Sequence, residues 1–332
     1  MLEAPPYQVC ARAPLRVDLA GGGTDVPLFA ANYGGAAVGA AISLSVHVEV
    51  RLGGGTIRLR SEDRDRRVTV PQPSAITYDG NLDAPKAALN MLPVTGGIEI
   101  LTRSDAPPGA GLGERGALDV AVLAALAHCR NEAYEATELA ELAFHLETEE
   151  LRRPSGRQDP YLAALGGVQS LEVGAATVGA RAVSLDADRL AECGAHLVLL
   201  YLGRPYAAES AARRIWDAVA AGQSDVVAAL VGLRDLVAPV VESWELGDWR
   251  RAGRLFEAAT RHYVVLDPIW SAPFTTSLVA ALRGAGASLL VLGPRDRRAE
   301  MASAAQAHGG VVLDCTIATQ GVSVWRESLP EA

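Results

Sequence analysis

Ser104-Asp-Ala-Pro-Pro-Gly-Ala-Gly-Leu-Gly-Glu-Arg-Gly-Ala-Leu-Asp-Val120 is the stretch that decides how this chain folds. Pro107 and Pro108 stiffen its approach, and Gly109, Gly111, Gly113 and Gly116 leave a run with almost no side-chain bulk. Beyond it, Ala117, Leu118, Val120, Ala121, Val122, Leu123 and Leu126 read as a helix buried over most of its circumference. Glycines feeding a helix N-terminus make an anion site, because free backbone N–H groups point outward and the helix dipole favours negative charge. A tight strand-to-helix turn without a ligand suits the same residues, so the loop alone leaves both readings open.

Upstream, residues 9–20 alternate as a strand does, with Arg16 and Asp18 on one face and Leu15, Val17 and Leu19 on the other. Gly21-Gly-Gly-Thr-Asp-Val-Pro27 follows. Its glycines allow a sharp turn or a close approach to a ligand, and Asp25 can accept hydrogen bonds from hydroxyls or simply cap the turn. Ser43–Leu52 and the segment from Gly96 to Thr102 read as strands; residues 53–85 read as strand pieces and polar loops carrying no chemistry.

Downstream, residues 136–152 form a helical pattern with Leu139, Leu142, Ala143 and Leu146 as its apolar stripe and Glu147 on the border. Thr137 is the expected N-cap, and Pro154 and Gly156 close the segment. Asp159 follows the Gly156 turn and precedes Pro160, a placement that suits a helix cap or an active carboxylate. Around 174–190 the composition turns small and polar, which suggests a domain boundary, with 1–180 and 181–332 as the two domains. A buried strand from His196 and helices at 207–221, 224–246 and 249–264 follow, then a second glycine turn at Leu282-Arg-Gly-Ala-Gly-Ala-Ser288.

Composition narrows the class. A chain of 332 residues, 49% apolar and 21% charged, can bury a large two-domain core. It contains no run of 18 uncharged apolar residues and its first residues lack a basic-then-apolar leader, so a cytoplasmic protein with no membrane association is expected. Cys10, Cys129, Cys193 and Cys315 are scattered and read as free thiols. A net charge of −9 argues against a nucleic-acid partner, though clustered arginines can still bind an anionic small molecule.

The separated motifs together resemble the GHMP kinases, and in particular the branch that phosphorylates heptose 7-phosphate at its anomeric hydroxyl. Pro-Pro-Gly-Ala-Gly-Leu-Gly is similar to the family's phosphate loop, Ala13-Pro-Leu-Arg-Val-Asp-Leu-Ala-Gly-Gly-Gly-Thr-Asp-Val-Pro27 to the branch's first motif, and Gly156-Arg-Gln-Asp-Pro-Tyr161 to its Gly-Lys-Gln-Asp-Gln-Tyr stretch. The resemblance implies an α+β fold of two domains, the first like ribosomal protein S5 domain 2 and the second ferredoxin-like, with the site in the cleft between them. It also implies Asp159 and Arg16 as catalytic residues, and Gly22, Gly23, Thr24, Asp25 and Gln158 around a sugar phosphate. Pro108, Gly109, Ala110, Gly111, Leu112, Gly113, Glu114, Arg115 and Gly116 would surround ATP, and Glu147, with Glu114 as a candidate helper, would hold Mg2+. A homodimer is one candidate assembly.

The chain departs from the family where two or three serines normally follow Gly-Leu-Gly: Glu114, Arg115 and Gly116 stand there, and Arg115 falls near the serine that ligates magnesium. The later glycine turn keeps only Gly284 and Gly286, with Ala287 and Ser288 after them. Three readings therefore stand: an ATP-dependent kinase acting on a heptose- or octose-phosphate-like sugar, a sugar-phosphate-binding pseudokinase, and an enzyme with altered phosphate-donor chemistry. Arg115 would point away, replace the metal as a charge clamp, or abolish ordinary Mg-ATP binding.

Overall fold

The computed structural model describes residues 7–201, 208–266, 281–284, 288–292, 298–306 and 310–329. The first sheet has eight strands. In chain order the elements are β1 (Tyr7–Ala20), α1 (Pro27–Tyr33), β2 (Gly35–Leu52), β3 (Ile57–Ser61), β4 (Arg66–Val70), α2 (Asp83–Met91), β5 (Ile98–Ser104) and α3 (Glu114–Cys129). Then come α4 (Ala136–His145), α5 (Gln158–Leu165), β6 (Val168–Val173) and β7 (Val178–Ala182). β2 is long enough to serve two partners: Gly35–Ala40 pairs with β6, and Val46–Leu52 pairs with β5.

The alternation expected in β1 is present. Leu15, Val17 and Leu19 are buried on one face, while Arg16 and Asp18 are half-buried on the other. α3 lies on the sheet against β1 and β2 and also meets α5. Its residues Val120 to Leu123, Ala125 and Leu126 are fully buried, as an apolar helix without a polar face requires.

The second sheet is formed by β8 (Leu197–Tyr201), β9 (Ala281–Gly284), β10 (Ser288–Leu292) and β11 (Val311–Leu313), in the antiparallel order β11-β8-β10-β9. α6 (Ala187–His196) precedes it, and α11 (Arg298–Gln306) joins β10 to β11. Between β8 and β9 run α7 (Ala208–Ala220), α8 (Ser224–Asp235), α9 (Val237–Leu246) and α10 (Trp249–Leu266). This strand order is the ferredoxin-like one, with a bundle of helices in its first crossover. β12 (Ser323–Ser328) then returns to the first sheet and pairs with Tyr7–Arg12 of β1. The expected division at 180/181 falls inside β7, and β12, far beyond it, belongs to the same sheet as the strands before it.

Several local expectations are corrected. The helix expected over 224–246 breaks at Leu236, because Pro239 lacks the N–H that would bond Asp235 and its ring crowds that carbonyl. The helix over 136–152 ends as a regular α-helix at His145 and widens into a π-helical turn over Leu146–Glu150. Its N-cap is Glu135 rather than Thr137, with the Glu138 carboxylate accepting the Glu135 N–H at 2.8 Å. Residues 174–190, read as the region of a domain boundary, carry β7 as a hairpin partner of β6 and the first turn of the helix Ala187–His196. Gly284 ends β9 and Ser288 begins β10, while Gly286 and Ala287 lie outside the described residues.

Candidate functional site

The glycine loop adopts the backbone its composition permits. Gly109, Gly111 and Gly113 have φ of +74°, +76° and +73°, and Gly113 is the N-cap of α3. Arg16, projecting from β1, ties this loop to α5. Its N–H donates to Leu112 O (2.9 Å), its Nη1 to Gly111 O (2.9 Å) and its Nε to Asp159 Oδ1 (2.7 Å).

Two glycines make that approach sterically open. A Cβ on Gly113 would stand 2.9 Å from Arg16 Cγ, and one on Gly116 would stand 2.7 Å from Asp159 Cβ. Asp159 is the second residue of α5, and its carboxylate faces Arg16. The cap reading of this aspartate is thereby set aside. The structure brings Asp159, Arg16 and the Gly109–Gly116 loop together.

The Gly21–Asp25 turn packs on the same cluster. Asp25 is buried and accepts the N–H groups of Gly23 (3.1 Å) and Gln158 (2.8 Å). Gln158 in turn donates from Nε2 to Asp18 Oδ1 (3.0 Å), and Tyr263 of α10 donates to Asp18 Oδ2 (2.7 Å). Gly22 and Gly23 are half-buried, and Gly22 O lies 3.3 Å from the Tyr263 hydroxyl. Thr24 is fully buried, its hydroxyl held among Gly21 O, Ala36 O and the Ala36 N–H. Thr24, expected among the residues around a sugar phosphate, spends its side-chain hydroxyl within the protein and staples the turn. Asp18 and Tyr263 were missed, Asp18 because it reads as one polar position of an amphipathic strand and Tyr263 because it reads as helix core.

The charges around Arg16 act on one another. Burial alone would lower its pKa, but Asp159, then Asp18 and Asp25, reverse this and hold the guanidinium charged. Burial pushes the Asp25 carboxyl above its ordinary range, with Asp159 adding to the rise and the Gln158 and Gly23 N–H groups opposing it.

The other side of the loop differs. A cavity of about 510 Å³, within the usual range for small-molecule sites, is lined by Pro108, Glu114, Arg115, Glu147 and Arg153, and by Arg64 and Asp83 from the supposedly inert 53–85 segment. Arg16 and Asp159 are not on its wall. Glu114 is taken by Arg64 at 2.8 Å, so it is not a free helper for a metal. Glu147, 2% exposed on the π-helical turn, has Arg115 Nη1 at 3.3 Å from one oxygen and Arg153 Nη1 at 3.6 Å from the other. Behind it lies Asp119, 1% exposed and without a hydrogen-bond partner among the described residues. Burial, then the charge of Glu147, raises the Asp119 pKa well above the ordinary carboxylate range against the pull of Arg115 and Arg153. Asp119 had a legible signal in the sequence, a single acid inside an otherwise apolar helix.

The family resemblance implies a divalent metal on Glu147, and the residues as arranged do not fit one. Each Glu147 oxygen already faces a guanidinium. A divalent ion about 4 Å from either would be repelled by roughly 8 kcal/mol at an effective dielectric of about 20. Among the described residues no group of three or more His, Cys, Asp or Glu side chains is placed to hold a metal. The assignment of Glu147 as a ready metal ligand is corrected accordingly.

Comparison with known proteins now gives the frame for this geometry. Residues 83–167, which carry the glycine loop, α3, Glu147 and Asp159, match the family described as "GHMP kinases N terminal domain". A solved structure described as a D-glycero-D-manno-heptose 1-phosphate kinase from Bacteriodes thetaiotaomicron superposes with a TM-score of 0.81 at 21% identity, over 96% of this chain and 98% of that one. The fold is that of the GHMP kinases. Lactococcus lactis galactokinase, solved with galactose, shares this GHMP kinase fold with a TM-score of 0.76 at 17% identity, over 95% of each chain. In sequence, the chain is 34% identical over 169 residues to the D-glycero-alpha-D-manno-heptose 7-phosphate kinase of Campylobacter jejuni subsp. jejuni serotype O:2. That match spans 48% of this chain and about half, 49%, of the relative. No helix among the described residues of this GHMP fold is long and apolar enough to cross a membrane.

Proposed function

We propose that this protein is an ATP-dependent sugar kinase that phosphorylates the anomeric hydroxyl of a heptose- or octose-phosphate-like sugar. The observation that carries the reading is the Arg16 bridge, which joins the Asp159 carboxylate to the carbonyl of Gly111 in the glycine loop. A carboxylate held beside a loop of bare amides is what phosphoryl transfer to an alcohol requires: a place for a polyanion and a group to take a proton. The 34% identity to a heptose 7-phosphate kinase supports the acceptor class.

In this reading the phosphates of ATP rest on the amides of Gly109–Gly116 and the α3 N-terminus. The sugar lies by the Gly21–Asp25 turn, with Asp25 and Gln158 shaping its side of the site and Thr24 fixing the backbone of the turn. The anomeric oxygen attacks the γ-phosphorus, the bond to the bridging oxygen breaks, and ADP leaves with that electron pair. The hydroxyl proton passes to Asp159. Arg16 holds Asp159 in place and offsets negative charge on the group in transit, the kind of fixed electrostatic support that lowers such barriers most.

The test is turnover with ATP and heptose 7-phosphate, followed by phosphorus NMR for a new anomeric phosphate. Asp159→Asn is expected to cut the rate by roughly a hundredfold or more, as loss of a general base does, while unfolding stays cooperative. An unchanged rate would reduce Asp159 to a structural partner of Arg16. Sugar binding with neither ATP binding nor product would favour the pseudokinase reading instead.

A further inference from the structure

Two guanidiniums, Arg115 and Arg153, stand on the cavity side of a buried carboxylate, one against each oxygen of Glu147. Both also reach Glu209 of α7, at 3.6 and 3.9 Å, and Arg153 pairs with Asp83 at 3.0 Å. Only the Asp83 contact has hydrogen-bond geometry among these. Arg115 keeps 35% of its side chain exposed and Arg153 keeps 23%. Arg115 is also the second residue of α3, directly beyond the Gly113 cap. The arrangement is a pair of forked donors, backed by buried Glu147 and flanked on the cavity wall by Asp83 and the exposed Glu209, with N–H capacity left over at the mouth of the loop.

We propose that Arg115 and Arg153 form a phosphate clamp that replaces a divalent cation, so that this chain binds a polyphosphate without metal. The inference rests on the nucleotide reading of the glycine loop. Glu147 serves as the anchor of the clamp. A phosphate group entering the cavity meets Arg115 first, by charge-assisted hydrogen bonds of the kind for which arginine's forked donors are suited. Asp119 is not part of the cavity wall and takes no part in ligand contact.

The experiment is calorimetric titration of the 332-residue chain with ATP and, separately, with inorganic triphosphate, each in EDTA and in excess MgCl2. The expected result is a Kd for both ligands in EDTA within threefold of that in magnesium. Arg115→Ser should weaken metal-free binding by roughly tenfold or more, the range lost with one charge-assisted contact. Arg115→Lys should restore part of it. Magnesium tightening wild-type binding of ATP by more than tenfold would overturn the clamp while leaving the kinase reading intact. Equal metal-free affinity in wild type and Arg115→Ser would overturn it too. Triphosphate bound without metal, but ATP not bound at all, would support the clamp and remove the kinase reading. Binding of neither ligand in either buffer would remove both.

Discussion

Two carboxylate clusters flank the same glycine loop and are held in opposite ways. Around Arg16, the contacts of Asp18, Asp25, Gln158 and Asp159 are directional hydrogen bonds, most between 2.7 and 3.0 Å. Around Glu147, the cations stand at 3.3 and 3.6 Å, and the oxygens of Asp119 and Glu147 are buried without hydrogen-bond partners among the described residues. A satisfied polar network rigidifies, whereas buried carboxyls left unbonded weigh against the fold. One side of the loop is finished before any ligand arrives. The other keeps its carboxyls unbonded and its guanidiniums only loosely held.

The largest effect that would sharpen this contrast comes from Arg16→Met. It removes the donor that joins loop and carboxylate, and kcat is expected to fall by about 10²–10³-fold, the usual loss for one fixed electrostatic donor. A fall below tenfold in a steady-state assay would break the claim that this side is preorganised. Gly116→Ala comes next, since its methyl would press on Asp159 at 2.7 Å and displace α5. A shift of that kind costs up to about a hundredfold in kcat, with overpacking adding about 1–3 kcal/mol of instability measurable by denaturant unfolding. An unaltered rate would show that α5 tolerates movement.

Thr24→Val is a stability test of the same side. It strands the Ala36 N–H and should cost about 1–3 kcal/mol, readable as a lowered Tm, with any loss of sugar affinity arising through the turn backbone. The smallest expected effect is on the other side. The Asp119 carboxyl holds its proton more tightly folded than unfolded, so folding loses stability as pH rises from the ordinary carboxylate value, 3.8, through the raised native one. Asp119→Asn removes that loss. It should raise Tm by roughly 2 °C or more at pH 8, with the gain shrinking as pH falls toward 4. A lowered Tm at pH 8 would mean that Asp119 is a needed counter-charge for Arg115 and Arg153.

The Arg16 side was the more legible in sequence because its signals are local. A glycine run, an alternating strand and an Asp beside a Gly-Arg-Gln turn each constrain the backbone within a few residues, and the fold brings them together as expected. The helix break at Leu236 was legible in principle from Pro239 alone. What the sequence hid was pairing across distance. Arg153 falls just past the helical pattern of 136–152 and Asp83 in a stretch read as strand pieces and polar loops, yet they meet at 3.0 Å beside Glu147. No periodicity encodes the π-helical turn at Leu146–Glu150, where the helix widens by one residue and carries Glu147 with it. Thr24 illustrates the converse case: its place in a motif suggested a ligand contact, and burial made it a staple.

The pairing of β12 with β1 has a consequence for how the protein is made. Residues 7–12, which lead directly into the Arg16 strand, are matched to residues 323–328, some three hundred positions later. During synthesis the first strand leaves the ribosome early but finds this neighbour only after some three hundred more residues have been made. Until then its outer edge is a row of unmet amides and carbonyls, open to another strand. A fragment ending near residue 180 would keep that edge bare for good, so the part carrying the glycine loop is expected to aggregate when produced without the strand that closes it.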